Sequence, residues 1–511
     1  MVTGVYDNII GEVRLYYPVR KIVADSTPAP QHITLQTLIG KDDMSKNTTK
    51  RPNQSKNKKL MKKAVLPKHL QHINKMAAGI DIGSKSHFVA IPEGCADVCV
   101  REFQSFTVDL HELADWLETC GITTVAMEST GVYWIPLFEL LESRGFEVLL
   151  VDARHVKNVS GRKTDVLDCQ WLQQLHTYGL LSGAFRPSEQ VCALRAYMRQ
   201  RNMLIRQMSS HIQHMQKALS QMNIQLHNVI SDITGETGMM IIRSIVQGER
   251  DPKLLASYRN YRCQSPLAII EKSLTGNYRE EHVFALSQAL ELFDIYQNKI
   301  TACDEQIEKQ LSTFEDTNTD GTEKSTENTK SNKKPVKKSK NAPSFDLSSH
   351  LIRMVGVDLT SIPGLEAYSV LKIVSEIGLD LNRWKSSKQF ASWLGLCPGN
   401  KVSGGKRLSG KSKRTGNYAA SALRMAASTL HHSHSALGAF FRRLKARIGA
   451  PKATTATAHK LAIIIFNMIR NQVEFVETGA DYYEKQYRDR LIKNLNNRAK
   501  MLGFELVEIA C

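Results

Sequence analysis

From Ala77 onward the apolar residues switch repeatedly between strand spacing and helix spacing, and that succession restricts the fold more than any other part of the chain. The run "AAGIDIGSKSHFVAIPEG" alternates, is interrupted by Gly-Ser-Lys at 83–85, and predicts two strands joined by a tight turn. "VREFQSFTV" at 100–108 predicts a third strand, followed by an amphipathic helix over Leu110–Thr119. A strand "TTVAMEST", a helix "WIPLFELLESRG", a strand "FEVLLVD" and a helix from about Thr164 complete the series. The order β-β-β-α-β-α-β-α predicts an α/β unit: a mixed sheet flanked by helices.

Four acids stand out in this frame. Asp81 lies inside the first strand, in "GIDIG", where an ionised group costs several kcal/mol unless it is paired or bound to a metal. Glu128 repeats the anomaly at the carboxyl end of "VAMEST", and "GRKTDVLDCQWL" sets Asp165 and Asp168 three apart on one helix face. Singly, each has an ordinary reading as a turn, strand-end or first-turn acid. Together they would converge at one end of the sheet as a hard-oxygen site suited to two Mg²⁺ ions, the arrangement that stabilises attacking and leaving oxygens in displacement at phosphorus. Arg154 and Lys157, close by in sequence, are placed to hold a phosphate or to pair with these acids.

At 511 residues the chain exceeds what one core supports, and its composition divides it. Residues 1–75 form a leader; its stretch Met44–Lys75 has ten Lys/Arg and no acid, and predicts a disordered arm that either solubilises or tethers nucleic acid. The α/β unit occupies 76–186. In the helical region 187–315, Val191, Leu194, Met198, Ile205, Met208, Ile212, Met215, Leu219 and Met222 follow steps of three and four, with Arg201 at one seam position. That stripe predicts a coiled coil, whose partner is a second helical stretch at about 281–314 in the same chain or in another subunit. A hydrophilic linker covers 316–345, a mainly helical unit 346–478, and a polar helical tail 479–511. The nine cysteines are scattered without zinc spacing and are read as reduced and structural; the "HHSH" run at 431–434 and His459 are likewise read as structural.

Lys and Arg outnumber Asp and Glu by 18, with a pI near 9.4, a balance that favours polyanions. The longest apolar run, Leu461–Ile469, is far short of a membrane span, so the expectation is an intracellular protein without membrane contact. The charge peaks in "LCPGNKVSGGKRLSGKSKRTGN", six Lys/Arg and no acid around Ser403. Gly404 and Gly405 would let the backbone approach a phosphate, while Lys406, Arg407, Lys411, Lys413 and Arg414 would neutralise a nucleic-acid backbone. A serine hydroxyl needs a base or a metal to become a nucleophile, and Ser409 and Ser412 are rivals in the same loop. Upstream, "SIPGL" at 361–365 reads either as backbone amides offered to phosphate or as a packed helical turn.

Three blocks carry a resemblance: "GIDIGSKSHFVAI", "AMESTGVYWIPLFELLESRGFEVLLVDARHVKNVSGRKTDVLDCQWLQQLHTYGLL" and "SIPGLEAYSVLKIVSEIGLDLNRWKSSKQFASWLGLCPGNKVSGGKRLSGKSKRTGN". In order, and over about 77–475 without the linker, they resemble the DEDD transposases of insertion sequences, the bridge-RNA-guided recombinases. The resemblance implies a RuvC-like, RNase H-like N-terminal domain, a coiled-coil connection and a C-terminal transposase domain. It places the family's Mg²⁺-binding acidic tetrad on Asp81, Glu128, Asp165 and Asp168, and its serine nucleophile on Ser403. It further implies a covalent phosphoserine–DNA intermediate, a noncoding bridge RNA pairing with donor and target DNA, and a homo-oligomer, dimer or tetramer, whose sites combine the acids of one subunit with the serine of another. A cytoplasmic, nucleoid-associated location follows from that activity. The leader and linker are longer than the family's compact pattern, which implies a working start downstream of Met1. Two alternatives remain at this point: a Holliday-junction resolvase that uses water, and an inactive nucleic-acid-binding protein.

Overall fold

The computed structural model describes residues 73–152, 164–316, 340–413 and 415–507. They belong to one compact unit, His72–Cys511; the other, Met1–Gln71, and with it nearly all of the basic leader, lies outside the described residues. So do most of the hydrophilic linker, Arg154, Lys157 and Arg414.

The expected succession is present: β1 (Ala77–Ile82), β2 (Ser86–Ala90), β3 (Val100–Gln104), α1 (Thr107–Thr119), β4 (Thr124–Glu128), α2 (Trp134–Ser143), β5 (Glu147–Val151) and α3 (Asp165–Thr177). The strands form one sheet in the order β3-β2-β1-β4-β5, antiparallel between β3, β2 and β1 and parallel between β1, β4 and β5. This is a mixed sheet of RNase H-like type. Strand alternation gives each residue a face. Ile80, Ile82, Val125 and Met127 turn toward the core built with Leu113, Leu117, Leu137 and Leu141 of α1 and α2. Gly79 turns toward α3, and by the same parity so does Asp81. Ala126 shares a small core with Leu172 of α3, which places Glu128 on that face as well.

After the sheet, α4 (Glu189–Gln221) runs for 33 residues, roughly 50 Å at helical rise. Four short helices follow, α5 (Leu226–Val229), α6 (Glu236–Val246), α7 (Pro252–Ser257) and α8 (Leu267–Ser273), before an equally long α9 (Glu280–Ser312). Contacts between Gln190 and Gln310, Arg201 and Asp304, and His211 and Tyr296 show that α4 and α9 lie antiparallel within the chain. The heptad stripe is divided between two cores. Val191, Leu194 and Met198 join Ile307 and Leu311 in the C-terminal core, whereas Met208, Met215, Leu219 and Met222 pack with α6 to α9. Arg201 sits at the division, 1% exposed, paired through two nitrogens with Asp304 and donating from Nη1 to Asn341 O (2.9 Å) and Tyr368 Oη (2.8 Å).

The C-terminal unit contains α10 (Leu347–Val355), a 3₁₀ turn (Leu359–Ser361), α11 (Ala367–Ile377), α12 (Ser387–Trp393), a hairpin of β6 (Lys401–Ser403) and β7 (Lys406–Ser409), α13 (Tyr418–Thr429), a second 3₁₀ turn (Leu430–His432), α14 (Ala436–Ile448), α15 (Ala450–Asn471) and α16 (Ala480–Met501). In "SIPGL" the structure favours packing: Gly364, at φ +87°, lies so close to α13 that a Cβ would be 2.8 Å from Ala426 O. No helix among the described residues is long and apolar enough to cross a membrane.

Candidate active site

The acidic end of the sheet is built by the way α3 is tied down. At its carboxyl end, buried His176 places Nε2 2.8 Å from Thr124 Oγ1. The Thr124 hydroxyl donates to Glu147 O at 3.0 Å, so the imidazole is the donor and carries its proton on Nε2. Burial holds the His176 pKa below its ordinary value, which keeps the ring neutral. Gln173 Nε2 donates to Ala77 O (3.3 Å), and Asn74 Nδ2 donates to His176 O (2.8 Å). The carboxyl end of α3 therefore sits over the first residues of β1 and β4. Thirteen helical residues span roughly 20 Å, about the length of those strands, so the amino end of α3 arrives above their last residues. Thr164 caps that end, accepting from Leu167 N at 3.3 Å, and sets Asp165 and Asp168 in the first turn, where the helix dipole favours acids.

Gly79 makes this approach possible. A Cβ there would stand 2.2 Å from Gln173 N and 2.5 Å from Cys169 O, both backbone atoms that cannot turn aside. A glycine inside a strand signals close backbone approach, and that is the one trace of this contact in the sequence.

Three of the four acids bear on the fourth. The Asp81 carboxyl is pushed up from its ordinary 3.8 to about 6, first by burial, then by the negative charges of Asp165, Asp168 and Glu128, while a hydrogen bond from the Ile82 amide works the other way. Burial, and then Asp81, push the Cys169 thiol up to about 12, so it stays protonated and donates to Val166 O at 3.2 Å. An all-carboxylate donor set fits a hard divalent cation. In their present rotamers, no three His, Cys, Asp or Glu side chains among the described residues converge closely enough to hold an ion. Val132 and Tyr133, shortly after Glu128 in the chain, and Val166 and Leu167, in the first turn of α3, are exposed apolar residues.

Ser403 lies elsewhere in the fold, at the tip of the β6–β7 hairpin. It pairs with Lys406 across a two-residue turn in which Gly404 (φ +55°) and Gly405 (φ +75°) both occupy the left-handed region. That is the type I′ geometry matching the twist of a two-stranded ribbon, and it explains the Gly-Gly pair by backbone conformation. A Cβ at either glycine would meet nothing within 4 Å, so crowding is not the reason. The hairpin base is closed by the Pro398–Ser412 bridge and by Gly399 N donating to Lys411 O at 3.1 Å. Ser403 is exposed, as are Lys406, Lys411 and Lys413. Ser409 Oγ is occupied as acceptor for Lys411 N at 3.3 Å, which separates it from Ser403. Arg407 belongs to β7, but its side chain is outside the description, and among the described residues no hydrogen bond or ion pair links Ser403 to the four acids.

Two family models match the chain: a transposase model over residues 78–224, and the model described as "Transposase IS116/IS110/IS902 family" over residues 358–442. The chain carries IS110-family transposase domains. It is an enzyme of DNA transposition, and its function is that of an insertion-sequence transposase. The first match contains Asp81, Glu128, Asp165 and Asp168 and runs on through α4, beyond the α/β unit; the second contains the Ser403 hairpin and ends within α14. No curated protein matches the chain.

Proposed function

We propose that the transposase cleaves and rejoins DNA through two half-sites: an acidic one in 76–186, where Asp81, Glu128, Asp165 and Asp168 hold Mg²⁺, and a serine one in 346–478, at Ser403. The observation that carries this reading is the negative charge of Asp165, Asp168 and Glu128 bearing on the Asp81 carboxyl at one sheet end. Bound there, two Mg²⁺ ions would neutralise charge on the attacking and departing oxygens. Ser403 Oγ forms a bond to phosphorus while the bond to the neighbouring nucleotide oxygen breaks; the serine proton passes to a base, and the departing oxygen leaves as a hydroxyl. Attack by the hydroxyl of a new strand then restores a phosphodiester and returns the proton to serine. The phosphoserine retains the energy of the broken bond, which a water nucleophile would lose.

The exposed serine, and the exposed apolar residues Val132, Tyr133, Val166 and Leu167 near the acids in the chain, support an assembly in which one subunit supplies the acids and another the hairpin. Guidance by an element-encoded bridge RNA, and a cytoplasmic, nucleoid-associated location, belong to the same reading. The test is an adduct assay with labelled junction DNA, the neighbouring noncoding RNA and Mg²⁺. A protein–DNA band lost in both Ser403→Ala and Asp81→Ala is expected. Cleavage without any adduct would replace this mechanism by hydrolysis of the resolvase kind, and an adduct that survives Ser403→Ala moves the nucleophile to Ser409 or Ser412.

A further inference from the structure

The helix α16 spans 22 residues and buries none of them. A helix without a buried face is held by little packing of its own; here Gln486 pairs with Tyr482 and Arg490 with Gln486 along it. Its attachment to the body is local: Tyr483 meets Phe440 of α14 edge-on, and the Arg443 guanidinium lies 3.4 Å from the centre of the Tyr487 ring and 5.6 Å from that of Tyr483. Between the helices is a cavity of about 510 Å³ lined by Arg443, Lys485 and Arg488, with Tyr487, Leu491, Ile492 and a single acid, Glu484.

The cations of this cleft differ from their neighbours on α14. Arg442 donates to the His431 and Ser433 carbonyls, and Lys445 lies 3.0 Å from His431 Nε2. Among the described residues, Arg443, Lys485 and Arg488 have no acid within ion-pair distance, and Arg443 Nη1 is buried without a hydrogen-bond partner. Three uncompensated cations face one cavity, with one guanidinium held in place by aromatic rings. That is the chemistry of a polyanion contact, since stacking fixes an Arg fork and phosphodiester oxygens accept from it. The second family match ends at residue 442, so Arg443 and all of α16 lie beyond both matched regions.

We propose that the cleft between α14 and α16 is a polynucleotide-backbone site, in which Arg443, Lys485 and Arg488 contact phosphodiester oxygens and Tyr487 orients the Arg443 guanidinium. The site is separate from the acids and from Ser403, and it binds without regard to base sequence.

The test uses the full chain, labelled duplex DNA of unrelated sequence and an RNA of equal length, with affinity measured by anisotropy between about 50 and 200 mM salt. Lys485 and Arg488 are exposed on a helix with no buried residue, so Lys485→Gln/Arg488→Gln leaves the fold intact. Each lost phosphate contact takes about 0.9 from the slope of log affinity against log salt, so over that range the wild type should lose about 12-fold more affinity than the double variant. Arg443→Met should lower the slope further, and Arg443→Lys should restore part of it. DNA and RNA arms that respond alike identify the shared backbone chemistry; a response in one arm names the strand type. An unchanged slope in the double variant overturns the proposal. So does displacement of the nucleic acid by inorganic phosphate alone, which would mean a small-anion site, or by polyglutamate at equal charge, which would mean an acidic polypeptide. The slopes are measured with EDTA present, where the metal-dependent cleavage cannot proceed, so failure of the cleavage mechanism and failure of this site are read separately.

Discussion

Removing the charge of Asp81 should stabilise the metal-free transposase while abolishing its chemistry. The Asp81 carboxyl is raised from 3.8 to about 6 in the folded chain, so the native state holds its proton more tightly than the unfolded state does. Below pH 3.8 both states are protonated and the group contributes nothing; between 3.8 and 6 the unfolded state ionises first and stability falls; above 6 the full penalty is present. A shift of about 2 units corresponds to about 3 kcal/mol, and partial exposure of Asp81 reduces this to about 1–2 kcal/mol. Asp81→Asn has nearly the same shape, and its amide oxygen still accepts from the Ile82 amide. Because a chain with several cores need not unfold in one step, the readout should be local: hydrogen exchange of β1 and β4 amides, with EDTA present. At pH 7.5 those amides should exchange about 5- to 30-fold more slowly in Asp81→Asn, and the difference should vanish below pH 4. Added Mg²⁺ should slow exchange in the wild type and not in the variant. Equal or faster exchange in Asp81→Asn above pH 6 would refute the crowding of negative charge from which the metal site is argued.

Three further outcomes follow from the packing. Gly79→Ala forces a methyl group onto the α3 backbone, so a loss of about 1–3 kcal/mol in the α/β unit and of DNA cleavage is expected, measured by thermal melting and the adduct assay; normal activity would mean that α3 need not lie on β1. Arg201→Met strands Asp304 in a buried seam and should cost about 3–5 kcal/mol in urea unfolding, whereas Arg201→Met/Asp304→Leu should recover most of it; a double variant as unstable as the single one would contradict this. Gly405→Ala places a side chain at φ +75° in open space, so about 1–2 kcal/mol of strain falls on the hairpin alone: overall melting should not move, and adduct formation at Ser403 should slow.

The α/β unit was legible because its signals are local. Alternation around Asp81 and Glu128 assigns each acid a sheet face, and the three-residue spacing of Asp165 and Asp168 assigns them one helix face, so their meeting needs only the right connection between two elements. The heptad stripe was legible as a helix but not as to what covers it, because period alone does not name a partner. Val191 and Met198 serve one core and Met215 and Leu219 another, and the Arg201–Asp304 pair occupies the boundary where the sequence shows only an interruption. That pair joins positions 103 residues apart, and no local rule relates them. The same limit applies to the two half-sites. Sequence can place a serine beside Gly-Gly and acids on a sheet, and each then folds into a recognisable element. Whether the serine meets the acids is a question of assembly: a hairpin tip that is exposed on its own subunit becomes part of an active site only when the geometry of a second copy or of the DNA brings it there.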